Sequence, residues 1–223
     1  DWIKVVSEGL LEDFRDSFFT SRDFDDLQVL GYNVVRLPFP ATLLEEDEAP
    51  FHYKQAGWDL LDRFVEQCRL RGLYVLLGLH AAAGGHNPFE HNGQKDHDAR
   101  LWQDFESEPA DPCGTTVDNG PCNRERTEQL WRAIADRYRA HPAVLGYGLM
   151  NEPIADYATR IAPFNARLYD AIRAQGDNHL VLMMNPNFGQ VTATPEQPND
   201  LFALTPDVQG NGWFGVVYEY HPY

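Results

Sequence analysis

Short apolar runs alternate with amphipathic stretches along this chain, and the alternation is regular. Residues 22–30 repeat apolar side chains at helical intervals, with Ser21 as the N-cap and Gly31 as the stop. The run NVVRLPF at 33–39 is β-branched, ends at Pro38 and carries Arg36 among apolar neighbours. Residues 57–71 set Leu60, Leu61, Phe64, Val65 and Cys68 on one helical face, and Gly72 closes it. A second strand, YVLLGL at 74–79, hands over to His80. Residues 124–140 group Leu130, Trp131, Ile134, Ala135 and Tyr138 on another apolar face and lead into a strand at 144–150. Residues 158–175 read as helix, with Pro163 predicting that the first turns are broken or separate. Strands at 180–185 and 215–221 complete the series.

Strands separated by single helices, with no hairpin turns between them, imply successive right-handed βαβ units and a parallel sheet. An open doubly wound sheet would want a glycine-rich phosphate turn after a strand; AAAGGHNP at 81–88 lacks that spacing and precedes a long polar loop. Polar residues instead follow several different strands, as in a (β/α)8 TIM barrel. At 223 residues the chain suits one domain, residues 1–223, and is short for two.

Charge narrows the partners. Asp and Glu outnumber Lys and Arg by 34 to 18, a formal charge of −16 that repels nucleic acid and anionic membrane surfaces. No apolar stretch is long enough to span a bilayer, and DWIKVV at the start is no signal-peptide core. Cys113 and Cys122 lie in the loop DPCGTTVDNGPC, where a disulfide would staple an otherwise unordered segment and suit a secreted protein; two free thiols are the alternative. Asp111, Asp118 and Asn119 in that loop lack the spacing of a calcium site, and no cofactor or metal is called for.

The chemistry concentrates in GYGLMNEP at 146–153. An apolar run that breaks into Asn151, Glu152 and Pro153 looks like a buried strand delivering an acid to a barrel rim, with Pro153 expected to hold Glu152 extended. Taken alone, such a glutamate could equally cap a helix. A parallel barrel, however, empties every strand toward one face, so Arg36, His80, Asn151, Glu152, His221 and Tyr223 should converge there. Each has a dull explanation singly; six polar residues at one mouth make a site.

NVVRLPF, the Leu79–His80 pair, GYGLMNEP and YEYHPY resemble, in order and spacing, the motifs of glycoside hydrolase family five, cellulase-type retaining (β/α)8 barrels. The loop VLLGLHAAAGGHNPFEHNG is most similar to the exo-β-1,3-glucanase and β-glucosidase-like branch, departing from it at Gly78 and Ala83. The resemblance implies that Glu152 is general acid and base and that Asn151 binds the sugar 2-hydroxyl. Arg36, His80, His221 and Tyr223 would then serve the reacting sugar and the nucleophile, with Phe89, Trp213 and Phe188 as candidate stacking platforms against the alternative of core or loop packing. It also implies a chain spanning barrel strands two to six, incomplete at both ends, with the nucleophilic carboxylate outside it. Glu219 is expected to be an inner-barrel partner of Arg36 or of a backbone group, and not that nucleophile. Two rivals stand beside this: a carbohydrate-binding barrel without catalysis, and a metal-dependent hydrolase using His80, His86, His91 and His97. Sequence does not address the oligomeric state.

Overall fold

Five strands, β1 (Val34–Pro40), β2 (Tyr74–Ala81), β3 (Val144–Gly148), β4 (Leu180–Met184) and β5 (Val216–Glu219), form one parallel sheet in chain order. The computed structural model describes residues 8–92, 98–103, 120–184, 210–219 and 221. Each crossover moves to the next neighbour in the same direction. A doubly wound sheet would reverse direction at a switch point, so the strand order is that of a barrel wall. All five expected strands are present. β3 stops at Gly148, two residues early, because the chain leaves the ladder before it reaches the polar tripeptide.

The helices among the described residues are α1 (Glu8–Phe18), α2 (Ser21–Val29), α3 (Ala41–Leu44), α4 (Gln55–Leu70), α5 (Gly120–Tyr138) and α6 (Ala162–Arg173). Ser21 is not the cap of α2. Thr20 is, because Asp23 three residues on accepts from the Thr20 backbone N–H at 2.6 Å and completes a capping box. The break expected near Pro163 is a π-helical turn, Tyr157–Ile161, that joins α6 directly.

The core lies between the sheet and α4, α5 and α6. Leu130, Trp131, Ile134, Ala135 and Tyr138 of α5 are all buried, as their spacing predicts, against Leu77, Leu79 and Tyr147. Burying one such side chain contributes roughly 1.5–3 kcal/mol. Trp131 also donates its indole N–H to the Leu149 carbonyl at 3.2 Å, tying α5 to the residues that lead into Asn151. At the other end of the strands Tyr147 Oη donates to buried Asp177 Oδ2 at 2.6 Å. Burial alone would raise the Asp177 pKa; hydrogen bonds from His179 and Tyr147 outweigh it and hold it low. Cys68 is a free, buried thiol and Cys122 is disulfide-bonded; Cys113, the remaining cysteine, lies outside the described residues. So do Asp111, Asp118 and Asn119.

Candidate active site

Parallel register carries the ends of β1, β2, β3 and β5 to one rim. There Arg36 donates from Nη2 to Asn151 Oδ1 at 2.8 Å, and its Nε lies 3.2 Å from Glu219 Oε1. Gly78 on the adjacent strand lies beside the guanidinium, where an added Cβ would make an ordinary van der Waals contact at 3.5 Å. Glu219 also lies 3.1 Å from His221 Nε2, and the other ring nitrogen, Nδ1, lies 2.6 Å from Glu152 Oε1. One chain of contacts therefore runs Asn151, Arg36, Glu219, His221, Glu152. Asn151 and Glu152 are both buried.

Pro153 was expected to keep Glu152 extended. Instead Glu152 has φ +51°, in the left-handed region that a side chain of this kind seldom enters. Hydrogen bonds from the loop after β2 override the local bias. His86, fully buried, accepts the Ala82 N–H on Nδ1 at 3.3 Å, which leaves its proton on Nε2 to donate to the Asn151 carbonyl. Asn87 donates from Nδ2 to the Glu152 carbonyl at 3.0 Å. The Ile154 N–H and the Trp102 indole N–H both donate to the His86 carbonyl, at 3.0 and 2.9 Å. Backbone strain held by several independent contacts is a mark of a functional turn.

The second oxygen of Glu152, Oε2, lies 3.4 Å from Nε2 of His91, which is part of a 3-10 turn, Glu90–Asn92. The His91 ring stands 5.8 Å from His80 and from half-exposed Phe89. Burial, and then the neighbouring Arg36 charge, lowers the His80 pKa and keeps that ring neutral; its Nδ1 is buried without a hydrogen-bond partner among the described residues. Burial likewise pushes His86 down to about 4.

The structure thus gathers Arg36, His80, Asn151, Glu152, His221 and Phe89. Trp213 is not among them: it precedes the N-terminal end of β5 and stacks on Tyr169 of α6 with ring centroids 4.9 Å apart, at the opposite end of the strands. It packs the base of the wall. Both nitrogens of His221 face carboxylates, so neither is open to a sugar. Tyr223, Phe188 and His97 lie outside the described residues. Asn87 was missed by sequence reasoning, and His86 and His91 were weighed only as metal ligands; no group of three or more His, Cys, Asp or Glu is arranged to hold a metal among the described residues. The visible signal was the density of polar residues in HNPFEH.

The sequence model for cellulase, glycosyl hydrolase family 5, matches residues 11–223. A β-xylosidase of Phanerodontia chrysosporium is 32% identical over 184 residues, covering 82% of this chain and 35% of that protein. Endoglucanase C of Acetivibrio thermocellus is 25% identical over 222 residues, covering 100% of this chain and 55% of its own length. Among solved structures, endo-glycoceramidase II from Rhodococcus sp. superposes with a TM-score of 0.58 at 24% identity, over 77% of this chain and 46% of that one. The chain spans about a third to somewhat over half the length of these relatives.

Proposed function

Because the chain belongs to the cellulase family, glycosyl hydrolase family 5, and has that family's (β/α)8 fold, we propose that it carries the acid/base side of a retaining β-glycosidase acting on a β-glucan or β-glucoside. The observation that carries the reading is the carboxyl of Glu152, buried at the strand-end rim with His221 at 2.6 Å from one oxygen. Glu152 protonates the glycosidic oxygen as the bond to the anomeric carbon breaks, while a carboxylate from outside these 223 residues attacks that carbon. Glu152 then takes a proton from the water that releases the sugar. Glu219 is not that nucleophile in this reading, because Arg36 pairs with it and the His221 imidazole stands between it and Glu152. Arg36 donates to Oδ1 of Asn151, which fixes the amide's orientation and leaves its NH2 group as the donor for a sugar 2-hydroxyl. Half-exposed Phe89, its ring 5.8 Å from that of His91, offers an apolar face beside these residues.

A neutral glycan suits the chain's formal charge of −16, and the endoglucanase relative supports a β-glucan. In this proposal residues 1–223 belong to one catalytic barrel domain, of which they are a part, in a secreted polysaccharide-degrading enzyme; the disulfide at Cys122 supports the compartment. Glu152→Gln in the full-length protein tests it. Hydrolysis of glycosides with poor leaving groups should fall by roughly 10²-fold or more, with activated aryl glycosides largely spared in the first step. Glycan binding without hydrolysis in the full-length wild type would move the assignment to a binding protein, and unchanged turnover in the variant would remove Glu152 from the mechanism.

A further inference from the structure

We propose that the groove between the loop after β1 and α5 is a second carbohydrate-binding site, taking a segment of a neutral β-glucan chain apart from the group around Glu152. The ligand class rests on the reading of the chain as a β-glycosidase; the site rests on its own residues. Phe51, Tyr53, Glu125 and Gln129 line an open groove of about 380 Å3, and none of them is among the residues gathered around Glu152. Phe51 carries the argument. It is the third residue of the turn Ala49–His52, closed by the His52 N–H donating to the Ala49 carbonyl at 3.1 Å, and its φ is +66°. A turn with proline second and a positive φ third calls for glycine or asparagine in that third place. Among the described residues Glu152 is the other non-glycine residue in this region of backbone. The Phe51 ring is 39% exposed, so a strained position is occupied by a large apolar side chain that does not fill the core.

The turn is braced from below. The Phe51 N–H donates to Glu45 Oε1 at 2.6 Å, and the same oxygen lies 3.1 Å from Nε of Arg126; Glu45 and Arg126 are both buried. Arg126 also donates from Nη2 to the Glu46 carbonyl at 3.1 Å, and the Glu46 N–H donates to the His52 carbonyl at 2.9 Å. A ring on so rigid a mount loses little freedom when a ligand stacks on it. Tyr53 bridges back to Glu45, is 36% exposed and meets Trp58 with ring centroids 6.1 Å apart. Burial, and then the Glu45 charge, pushes its hydroxyl up to about 12, so it stays protonated and able to donate. On α5, Gln129 donates from Nε2 to Glu125 Oε1 at 2.8 Å, and the other Glu125 oxygen pairs with Arg167. Two aromatic rings beside an amide and a carboxylate suit a sugar, whose C–H faces stack on rings while its hydroxyls take the polar edge. The loop also carries Glu46, Asp47 and Glu48, which with Glu125 repel a phosphate- or uronate-bearing polymer and leave a neutral one unopposed.

Retardation of the full-length protein in native gels containing laminarin or hydroxyethyl cellulose, both neutral and soluble, tests the site. Phe51→Gly removes the ring and suits the turn, so it should keep at least the wild-type melting temperature. Gln129→Ala removes the amide without touching the turn. Each should weaken binding to at least one of the two polymers by roughly threefold to tenfold, the scale of one aromatic or hydrogen-bond contact. In the same variants kcat/KM for a short aryl β-glycoside should stay within about twofold of wild type. Undiminished polymer binding in Phe51→Gly overturns the proposal. An equal loss on the aryl glycoside overturns it too, since the groove would then act on the cleft around Glu152. Retardation by chitosan alone, a cationic polymer, would mean that charge and not stacking draws the ligand, and would likewise overturn it. If the wild-type protein hydrolyses neither polymer nor aryl glycoside, the glycosidase reading fails by that result, and retardation of Phe51→Gly against wild type still decides the groove.

Discussion

Arg36 and Asn151, 115 positions apart in the chain, are joined by a 2.8 Å hydrogen bond at the strand-end rim. The same guanidinium reaches Glu219 through Nε at 3.2 Å, so one planar fork fixes an amide on one side and a carboxylate on the other. Lysine cannot copy that fork. Arg36→Lys in the full-length enzyme should keep the charge near Glu219 and release Asn151, lowering kcat/KM by roughly tenfold to a hundredfold, the worth of a hydrogen bond to a charged group. A variant within about twofold of wild type on oligosaccharide substrate would show that Asn151 needs no such partner.

Gly57 in the first turn of α4 marks the closest approach of α4 to the α3 segment. A Cβ there would lie 2.0 Å from the Leu43 carbonyl oxygen and 2.9 Å from its carbon, both backbone atoms. Alanine is the better helix former by about 1 kcal/mol, yet overpacking costs about 1–3 kcal/mol and often more where the obstacle is backbone. The clash wins. Gly57→Ala should lower the melting temperature of the full-length protein by several degrees, read by circular dichroism. An unchanged or raised melting temperature would mean that the Leu43 turn gives way freely.

What the chain's pattern revealed and what it hid divide along physical lines. Buried parallel strands are apolar runs, so all five were legible, and the face of α5 could be named residue by residue because its whole stripe is buried. The conformation of Glu152 was not legible: the rule for a residue before proline is local, whereas His86 and Asn87, more than sixty positions away, decide it through the carbonyls of Asn151 and Glu152. Trp213 misled for a similar reason. An aromatic residue near a strand carries no mark of which end it occupies, and only its stacking on Tyr169 places it at the base. The buried pair of Arg126 and Glu45, 3.1 Å apart, left no trace in periodicity, since a paired ion looks polar wherever it sits.

His86 sets the last expectation, on acid stability. Its ring is held neutral by burial, with a folded pKa pushed down to about 4 from an ordinary 6.5. The unfolded chain therefore takes up this proton as pH falls through 6.5, whereas the folded one resists until about 4. Stability from this residue is full above pH 6.5, declines as pH falls and is gone below about 4; a gap of that size corresponds to about 3 kcal/mol. Glutamine can donate to the Asn151 carbonyl and accept the Ala82 N–H without titrating. Urea unfolding of full-length wild type and His86→Gln at pH 7, 5.5 and 4 separates the two behaviours: the variant should lose about 3 kcal/mol less than wild type across that range. Parallel losses in the two proteins would mean that His86 is protonated, or solvated, in the folded state, and that the carbonyl of Asn151 is held by something other than a neutral imidazole.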